Sequence, residues 1–376
     1  MADTIKKLTI EGFKSIRKLE DFELGPLNVL IGANGAGKSN FVGFFRLVRE
    51  MIRRRLQFEL GHTEGGADAC LYLGPKVTER LTAALYIGDK AYEFALASTP
   101  DNRFVFWDEA IVFEEAGASR VSYGSGHYEA KLREHMGDEG YLALTVFNAI
   151  SGWVVYHFDD TSLNAAVRRP RALNNNQRLG QNAENLAPLL YRLRVTDRAA
   201  YDRIRDVVRL AAPFFDDFSL RPIPTSPNEI QLEWRQKNSD YLFGAHQLSD
   251  GTLRFICLAT ALLEDSPLPT VLFDEPELGL HPHALTVLGS LFNQVARSQG
   301  TQIIISTQSA QLLNEFAPED VIVVDRVDAE SKFRRLNSAD LSEWLEDYTL
   351  GELWQKNVLG GRPREDRSLE PVSGVD

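Results

Sequence analysis

The chain has 376 residues, of which 44% are hydrophobic, and it carries a formal net charge of -12. This length suits one large domain or two, and the hydrophobic content can fill a substantial core. The negative total argues against a protein that coats nucleic acid by bulk attraction, although a local basic groove is compatible with it.

Several protein classes are excluded at this level. No apolar run approaches the roughly 18 residues needed to cross a bilayer, and the N-terminus lacks the apolar region and cleavage site of a secretory signal. The two cysteines, Cys70 and Cys257, stand alone, which excludes a disulfide framework or a paired-cysteine zinc site. We therefore expect a cytoplasmic protein with buried thiols and no membrane contact.

The N-terminal part predicts a strand, a glycine loop and a helix in direct succession. Leu27 to Ile31 is a short apolar run, typical of a buried strand, and it ends at Gly32. From Ser39 to about Leu60 apolar residues recur at helical spacing, which predicts a long helix. The glycine loop is thus enclosed by two regular elements.

This loop fits the phosphate-binding pattern G-x-x-x-x-G-K-[ST]. Its glycines let successive N–H groups point at phosphate oxygens, and the helix N-terminus adds a positive dipole. In this pattern Lys38 contacts the β- and γ-phosphates and Ser39 ligates Mg²⁺. The alternative, an ordinary glycine turn with an unrelated lysine, does not account for the flanking strand and helix. The predicted ATP-binding residues here are Gly32, Ala33, Asn34, Gly35, Ala36, Gly37, Lys38, Ser39 and Asn40.

A strand-rich stretch and then a more irregular region follow the helix. Residues 83–87 and 91–97 read as strands around Gly88-Asp89, a pair suited to a tight hairpin, so we predict an antiparallel β-lobe. Residues 114–238 are richer in Gly, Asn, Arg and Pro, and we interpret them as a mainly helical insertion.

Regular α/β character returns beyond the insertion. Helices are predicted over 255–264 and 282–299, and strands over 270–273 and 302–306. The fold class is therefore α/β, with a core that is split in sequence. The predicted segments are the N-terminal core with the phosphate loop and β-lobe (1–113), the insertion (114–238), the C-terminal core (239–330) and a helical segment with a tail (331–376).

The predicted strand over 270–273 runs into an acidic pair. A phosphate loop needs a second strand bearing a carboxylate to hold the metal, which predicts Asp274 as an Mg²⁺ ligand. Glu275 follows one step later, where it can orient or deprotonate the water that attacks the γ-phosphate. Considered alone, the pair could equally be a solvated acidic turn before Pro276.

A serine opens the helix that precedes this strand. Leu248-Ser249-Asp250-Gly251 can cap a helix and present N–H groups to phosphate, although taken alone it is only a helix cap. The order of phosphate loop, Leu-Ser-x-Gly helix start and Asp-Glu strand end is similar to that of ABC ATPases. Three further stretches narrow this resemblance to the RecF/SMC-like branch, and specifically to stand-alone ATPases related to overcoming-lysogenization-defect proteins. They are Ile-Glu-Gly-Phe-Lys-Ser at 10–15, Asp-Glu-Pro-Glu-Leu-Gly-Leu-His-Pro at 274–282 and Ile-Ser-Thr-Gln-Ser at 305–309.

The resemblance, which covers roughly residues 1–110 and 240–330, implies an ABC-type P-loop ATPase core in which two copies sandwich two ATP molecules. Ser249 and Gly251 would then contact the γ-phosphate bound by the other subunit, and residues 279–281 would cross the dimer axis. Gln308 would be the switch that senses the γ-phosphate and acts with Lys38 and Glu275 in catalysis. The family usually has histidine there; glutamine donates a hydrogen bond but carries no charge, so we expect hydrolysis to be slow or to need a partner. Asp250 replaces the commoner glycine and puts a carboxylate near phosphates.

Some weaker features have simpler alternatives. His281 and His283 suggest loop residues rather than metal ligands, because no third ligand is nearby in sequence. Asp325 and Asp328 faintly resemble a nuclease pair, but we expect no nuclease domain. One arginine cluster favours a solvated helix face over a DNA contact: Arg46, Arg49, Arg53, Arg54 and Arg55. A second cluster leaves phosphate contact and solubility equally open: Arg168, Arg169, Arg171 and Arg178.

The sequence therefore predicts an enzyme that binds and hydrolyses ATP with Mg²⁺ and dimerises with nucleotide. From the resemblance, its role would be DNA surveillance, repair or antiphage defence, with a separate effector or nuclease subunit and double-stranded DNA as possible partners. Two alternatives remain open: a nucleotide-gated scaffold with little hydrolysis, and the ATP-binding subunit of a membrane transporter. Gln308 and the Gly-Phe-Lys-Ser stretch speak against the transporter.

Overall fold

A computed structural model describes residues 4–114, 118–136, 140–158, 160–265 and 268–361 of the chain. The strands are β1 (Ile5–Phe13), β2 (Ile16–Glu23), β3 (Leu27–Ile31), β4 (Arg80–Ile87), β5 (Lys90–Ser98), β6 (Phe104–Glu114), β7 (Ala118–Ser122), β8 (Val154–Tyr156), β9 (Arg171–Ala172), β10 (Phe215–Ser219), β11 (Pro222–Ile223), β12 (Ser226–Ile230), β13 (Glu233–Gln236), β14 (Leu242–Gly244), β15 (Thr270–Asp274), β16 (Gln302–Thr307), β17 (Val321–Val327) and β18 (Glu330–Arg335). The α-helices are α1 (Lys38–Ile52), α2 (Leu56–Glu59), α3 (Ala67–Cys70), α4 (Gly140–Ser151), α5 (Leu186–Thr196), α6 (Arg198–Ala211), α7 (Asp250–Leu263), α8 (Pro282–Ser298), α9 (Ala310–Leu313), α10 (Ser338–Leu345) and α11 (Leu350–Gln355).

A central sheet has the strand order β18-β17-β3-β16-β15-β8. Its neighbouring strands are parallel, apart from the antiparallel pair of β17 with β18. All five residues of β3 are buried, as expected for an apolar strand covered on both faces of a parallel sheet. The strand that leads into the phosphate loop therefore lies inside the sheet.

The two faces of this sheet contribute to two hydrophobic cores. Successive side chains of a strand point to opposite faces. Phe273 of β15 packs in a core with α7 and α8, whereas Leu272 packs in a core with α1 and the β-lobe. Each functional side chain at the end of a strand thus belongs to one defined face.

The β-lobe is confirmed as an antiparallel sheet in the order β2-β1-β4-β5-β6-β7. β4 and β5 form the predicted hairpin, with Ile87 opposite Lys90 around the Gly88-Asp89 turn. The buried side of this sheet packs against the aromatic face of α1 in one of the two cores.

A helix was predicted from Ser39 to about Leu60, but the predicted end was wrong: α1 stops at Ile52. Arg54 adopts a left-handed backbone with φ 62°, which breaks the helix although the apolar spacing continues. A new short helix starts at Leu56, whose N–H donates to the Glu129 carboxylate at 2.9 Å. That cap comes from a residue distant in sequence, so local spacing could not predict it.

The inserted region 114–238 contains helices α4, α5 and α6 and, in addition, short strands. One of them, β8, pairs with β15 and forms an edge of the central sheet. Three residues are too few to give a periodic signal.

The helices and strands predicted between 255 and 306 are confirmed within a few residues as α7, β15, α8 and β16. The tail beyond residue 361 lies outside the described residues.

Both cysteines are buried free thiols, as predicted. Among the described helices, none combines the length and apolar character required to cross a membrane.

Candidate nucleotide-binding and hydrolysis site

The phosphate loop connects the buried end of β3 to the first turn of α1. Gly35 and Gly37 have positive φ angles of 77° and 113°, and Gly37 is the N-cap of the helix. The first N–H groups of a helix have no partner within the helix, so those of the first turn of α1 are available to an anion. This backbone suits a bound phosphate group.

Two serines outside the loop pack against its back. A Cβ atom at Gly37 would overlap with the Ser331 hydroxyl and lie 2.7 Å from Ser15 Oγ, so only glycine fits. The Ser331 hydroxyl, which is buried, lies within hydrogen-bond distance of Ser15 Oγ and of the Ala36 carbonyl. Asn40 Nδ2 donates to Ser15 Oγ at 2.6 Å. The loop is therefore braced by β18 and by the turn between β1 and β2.

Lys38 is buried at the centre of the loop. Its Nζ donates to the carbonyl oxygens of Gly32 at 2.7 Å and Ala33 at 3.2 Å. Burial lowers the pKa of Lys38, while the nearby carboxylates of Glu275 and Asp274 act in the opposite direction. The structure thus brings the phosphate loop and the acidic strand end into one electrostatic site.

A row of three polar residues crosses the carboxyl end of the sheet beside this lysine. Asp274 pairs with Ser306 on the neighbouring strand, and His157 follows Tyr156, the partner of Phe273. Ser306 Oγ, Asp274 Oδ1 and His157 Nε2 are each buried without a hydrogen-bond partner. Residues two positions earlier on these strands, such as Leu272 and Val155, pack in the core that contains α1, so alternation directs the row to the same face. Three unsatisfied polar atoms at one edge indicate a site for a polar ligand.

This arrangement fits Mg²⁺. The buried, unpartnered oxygen of Asp274 is costly unless a cation or water satisfies it. Mg²⁺ prefers oxygen ligands and usually keeps several waters, which neighbouring serine and imidazole groups can hold. In the described part of the chain, no three His, Cys, Asp or Glu side chains are placed to hold a metal ion together.

Glu275 and Gln308 are in direct contact. Gln308 Nε2 donates to Glu275 Oε1, and Gln308 N donates to Glu277 Oε1 at 2.7 Å. Glu275 also has a left-handed backbone with φ 46°, which is strained for a residue with a side chain. Burial raises the pKa of the Glu277 carboxyl. Glu277, to which the sequence assigned no role, therefore fixes the backbone position of Gln308.

The helix-start residues Ser249 and Gly251 line a cavity of about 100 Å³. Ser249 caps α7, as predicted: its Oγ accepts a hydrogen bond from Thr252 N at 3.2 Å. Gly251 packs so closely on the loop of Gly279 that a Cβ atom would overlap with the Gly279 carbonyl oxygen. Among the described residues, those that line this cavity include none from the phosphate loop.

Both interpretations of the first arginine cluster were incomplete, because these side chains bind other parts of the protein. Arg46 pairs with Glu59 and Glu64, and Arg49 with Glu50. The remaining contacts are Arg53 with the Ser151 carbonyl, Arg54 with Glu134 and Arg55 with Glu50. The cluster is largely neutralised by internal pairing and offers little free charge to DNA.

Arg168 from the second cluster is likewise neither solvated nor free to bind phosphate. Its side chain is 4% exposed and pairs with Asp250 at 2.7 Å.

Of the two histidines, His283 Nε2 lies 2.9 Å from the Leu210 carbonyl, and His281 Nδ1 accepts from His283 N. Asp325 accepts a hydrogen bond from Gly361 N at 2.7 Å. Each of these side chains therefore has a structural partner.

Sequence reasoning did not place Ser15 and Ser331 behind the phosphate loop, His157 beside Asp274, or Arg168 against Asp250. Ser15 belongs to the Gly-Phe-Lys-Ser stretch, which could have been placed beside the loop. The other three act through tertiary pairing, for which no sequence signal exists.

Two family models and several solved structures match this chain. Residues 150–314 match a family model described as "AAA domain, putative AbiEii toxin, Type IV TA system", and residues 7–48 match an AAA domain model. The chain is similar to a solved SMC head bound to the C-winged helix domain of ScpA, with a TM-score of 0.60 and 15% identity over 90% of this chain and 99% of that chain. For an SMC head domain with an extended coiled coil, bound to the C-terminal domain of ScpA derived from Pyrococcus furiosus, the TM-score is 0.56 and the identity 16%, over 92% and 99% of the two chains. A search of curated proteins finds no match. The chain therefore has the mixed α/β fold of SMC head ATPase domains, with a P-loop ATPase core.

Proposed function

We propose that this protein binds ATP with Mg²⁺ and hydrolyses it. The observation that carries the proposal is that Lys38 lies close to Asp274 and Glu275 at one end of the central sheet. In sequence these two carboxylates are 236 and 237 residues away from Lys38 (274 - 38 and 275 - 38). A braced phosphate loop facing an acidic strand end is the arrangement that phosphoryl transfer to water requires.

Each residue of the site has a defined part in this proposal. The loop N–H groups and Lys38 hold the phosphates, and Ser39 and Asp274 would ligate Mg²⁺, which neutralises charge on the phosphates when bound. Glu275 would orient the attacking water and accept its proton. Gln308, by donating to the Glu275 carboxylate, would hold that base in position.

The cavity at the start of α7 supports a nucleotide-driven dimer. Ser249 and Gly251 lie at the start of α7, where a helix N-terminus can receive a phosphate, and they line a cavity that no described phosphate-loop residue lines. A second copy of the chain would complete each ATP site with these residues. This assembly follows the resemblance to ABC ATPases.

The biological setting that we propose is DNA surveillance, repair or antiphage defence with a separate effector subunit. The SMC head structures with this fold were solved with a domain of ScpA bound, which supports a protein partner for this chain as well. The relationship to overcoming-lysogenization-defect ATPases, without a nuclease domain, is part of the same proposal.

The direct bond between Gln308 and Glu275 also favours a second candidate function. If this bond persists with ATP bound, Glu275 is engaged by an amide rather than by water. The protein would then be a nucleotide-gated scaffold with little hydrolysis.

Phosphate release from ATP by the purified protein separates these two functions. We expect Mg²⁺-dependent release that is lost in Lys38→Ala and kept in Lys237→Ala, an exposed lysine. Stimulation by double-stranded DNA would support the surveillance role. ATP binding without release under every condition would favour the scaffold, and absence of both would contradict the proposal.

A further inference from the structure

Asp250, the first residue of α7, stands where the similar ABC ATPases more commonly have glycine. Its side chain is 66% exposed and lies between Ser249 and Gly251, the two residues proposed to meet a phosphate. A free carboxylate there would repel a phosphate group. In this structure the carboxylate is not free, because the Arg168 guanidinium pairs with it.

Arg168 is held in one position by its surroundings. Its Nε donates to the Thr161 carbonyl at 2.9 Å, and its two terminal nitrogens donate to the carbonyls of Ala245 and Leu248 and to Asp250 Oδ1. A buried guanidinium is tolerated when its N–H groups are paired in this way. The positive charge therefore stays directly behind the start of α7.

The arginine also connects the two halves of the proposed chemistry. Thr161 lies in the segment that follows β8, and that strand ends beside the polar row of Asp274 and His157. Leu248 precedes the cap of α7. Arg168 thus ties the segment leaving the nucleotide edge to the residues that face a partner subunit.

We propose that Arg168 is a positioning residue that neutralises Asp250, so that the α7 start can approach the γ-phosphate of ATP bound by a second copy of the chain. This inference rests on the proposed nucleotide-driven dimer. It adds that the Arg168–Asp250 pair within each subunit is needed for that dimer to form. Arg168 itself does not contact the nucleotide.

The test measures ATP-dependent dimer affinity by light scattering in the Glu275→Gln background, which slows hydrolysis. We expect Arg168→Met to weaken the dimer at least tenfold while monomer affinity for ATP stays unchanged. Adding Asp250→Asn to Arg168→Met should restore the affinity to within about threefold, because the unpaired carboxylate is removed. A purely structural role of Arg168 would not be rescued by this second change. The defect of Arg168→Met should also shrink as salt rises, since repulsion is screened.

Arg192→Met is the matched control. Arg192 makes a bidentate pair with Asp265 at 2.7 Å, just beyond the opposite end of α7, and we expect it to leave the dimer intact.

Asp250→Asn alone supplies a variant that keeps the arginine and its carbonyl contacts. It leaves the charge of Arg168 unneutralised near phosphate, so we expect a dimer several-fold tighter. A weaker dimer in this variant, or no rescue in the double variant, would overturn the inference and leave the dimer itself standing. An absence of any ATP-dependent dimer when Arg168 and Asp250 are intact would overturn both.

Discussion

Glu275 shows at the level of one residue how this site differs from an ordinary strand end. Its φ of 46° is left-handed, and its N–H donates to the Ser306 carbonyl at 2.8 Å. That bond fixes the backbone where β15 leaves the sheet and turns the carboxylate toward Gln308. Strained backbone of this kind is common where a catalytic group must be positioned.

Replacing Glu275 with glycine should therefore stabilise the protein and abolish turnover. Glycine adopts this backbone freely, so we expect a gain of about 0.5–1 kcal/mol in the free energy of unfolding. Asp328→Gly is the control, because Asp328 is exposed with φ 53° and should give a similar gain with turnover retained. Thermal unfolding and phosphate release measure both effects, and a destabilised Glu275→Gly would contradict the role of strain.

Glu264, at the end of α7, should make stability depend on pH. Burial raises the pKa of its carboxyl from 4.5 to about 7. The folded protein then retains a proton that the unfolded chain has released, so this contribution is complete below pH 4.5 and is lost as pH rises to about 7. At 1.36 kcal/mol per pKa unit, the loss is at most about 3 kcal/mol.

Glu264→Gln should remove this dependence. We expect the variant to be more stable than the wild type at pH 8 and close to it at pH 4.5, as measured by urea unfolding. Glu343→Gln, on the exposed side of α10, is the control and should follow the wild type at both values. An equal stability difference at the two pH values would contradict the proposed burial effect.

At the level of helices and strands, the elements that the sequence predicted are those with a strong local pattern. β3, β15 and β16 are short apolar runs buried on both faces, and α7 has a serine cap, so local patterns identified them. β8 is only three residues long and is defined by its pairing with β15. The start of α2, just after α1 ends, depends on the distant Glu129. The candidate site was predictable where it consists of contiguous motifs, and it was missed where tertiary pairing brings in His157, Ser331 and Arg168.

The brace behind the phosphate loop can be tested by two glycine substitutions. Gly35 and Gly37 both have positive φ, but only a Cβ at Gly37 would overlap with Ser331, since nothing lies within 4 Å of one at Gly35. Gly37→Ala should therefore cost about 1–3 kcal/mol more in the free energy of unfolding than Gly35→Ala. Equal costs in urea unfolding would show that backbone strain alone matters and that Ser331 does not brace the loop.

At the level of the whole molecule, the strand order of the central sheet brings together site residues that are far apart in sequence. β3 and β15 flank β16 in the parallel sheet, so the ends of all three strands meet at one edge. The arginines of α1 are paired within the chain, Arg46 with Glu59 and Glu64 and Arg49 with Glu50. Basic residues counted along a sequence therefore did not predict a DNA-binding face.

The central claim is that two copies hydrolyse ATP between them, with Lys38 binding the nucleotide and Glu275 acting on water. The most direct test follows the mass of Glu275→Gln by light scattering as ATP and Mg²⁺ are added, with Lys38→Ala as the comparison and phosphate release measured in both. We predict that Glu275→Gln binds ATP, forms a stable dimer and releases almost no phosphate, whereas Lys38→Ala remains monomeric. A Glu275→Gln protein that binds ATP but stays monomeric, or that releases phosphate at the wild-type rate, would contradict this account.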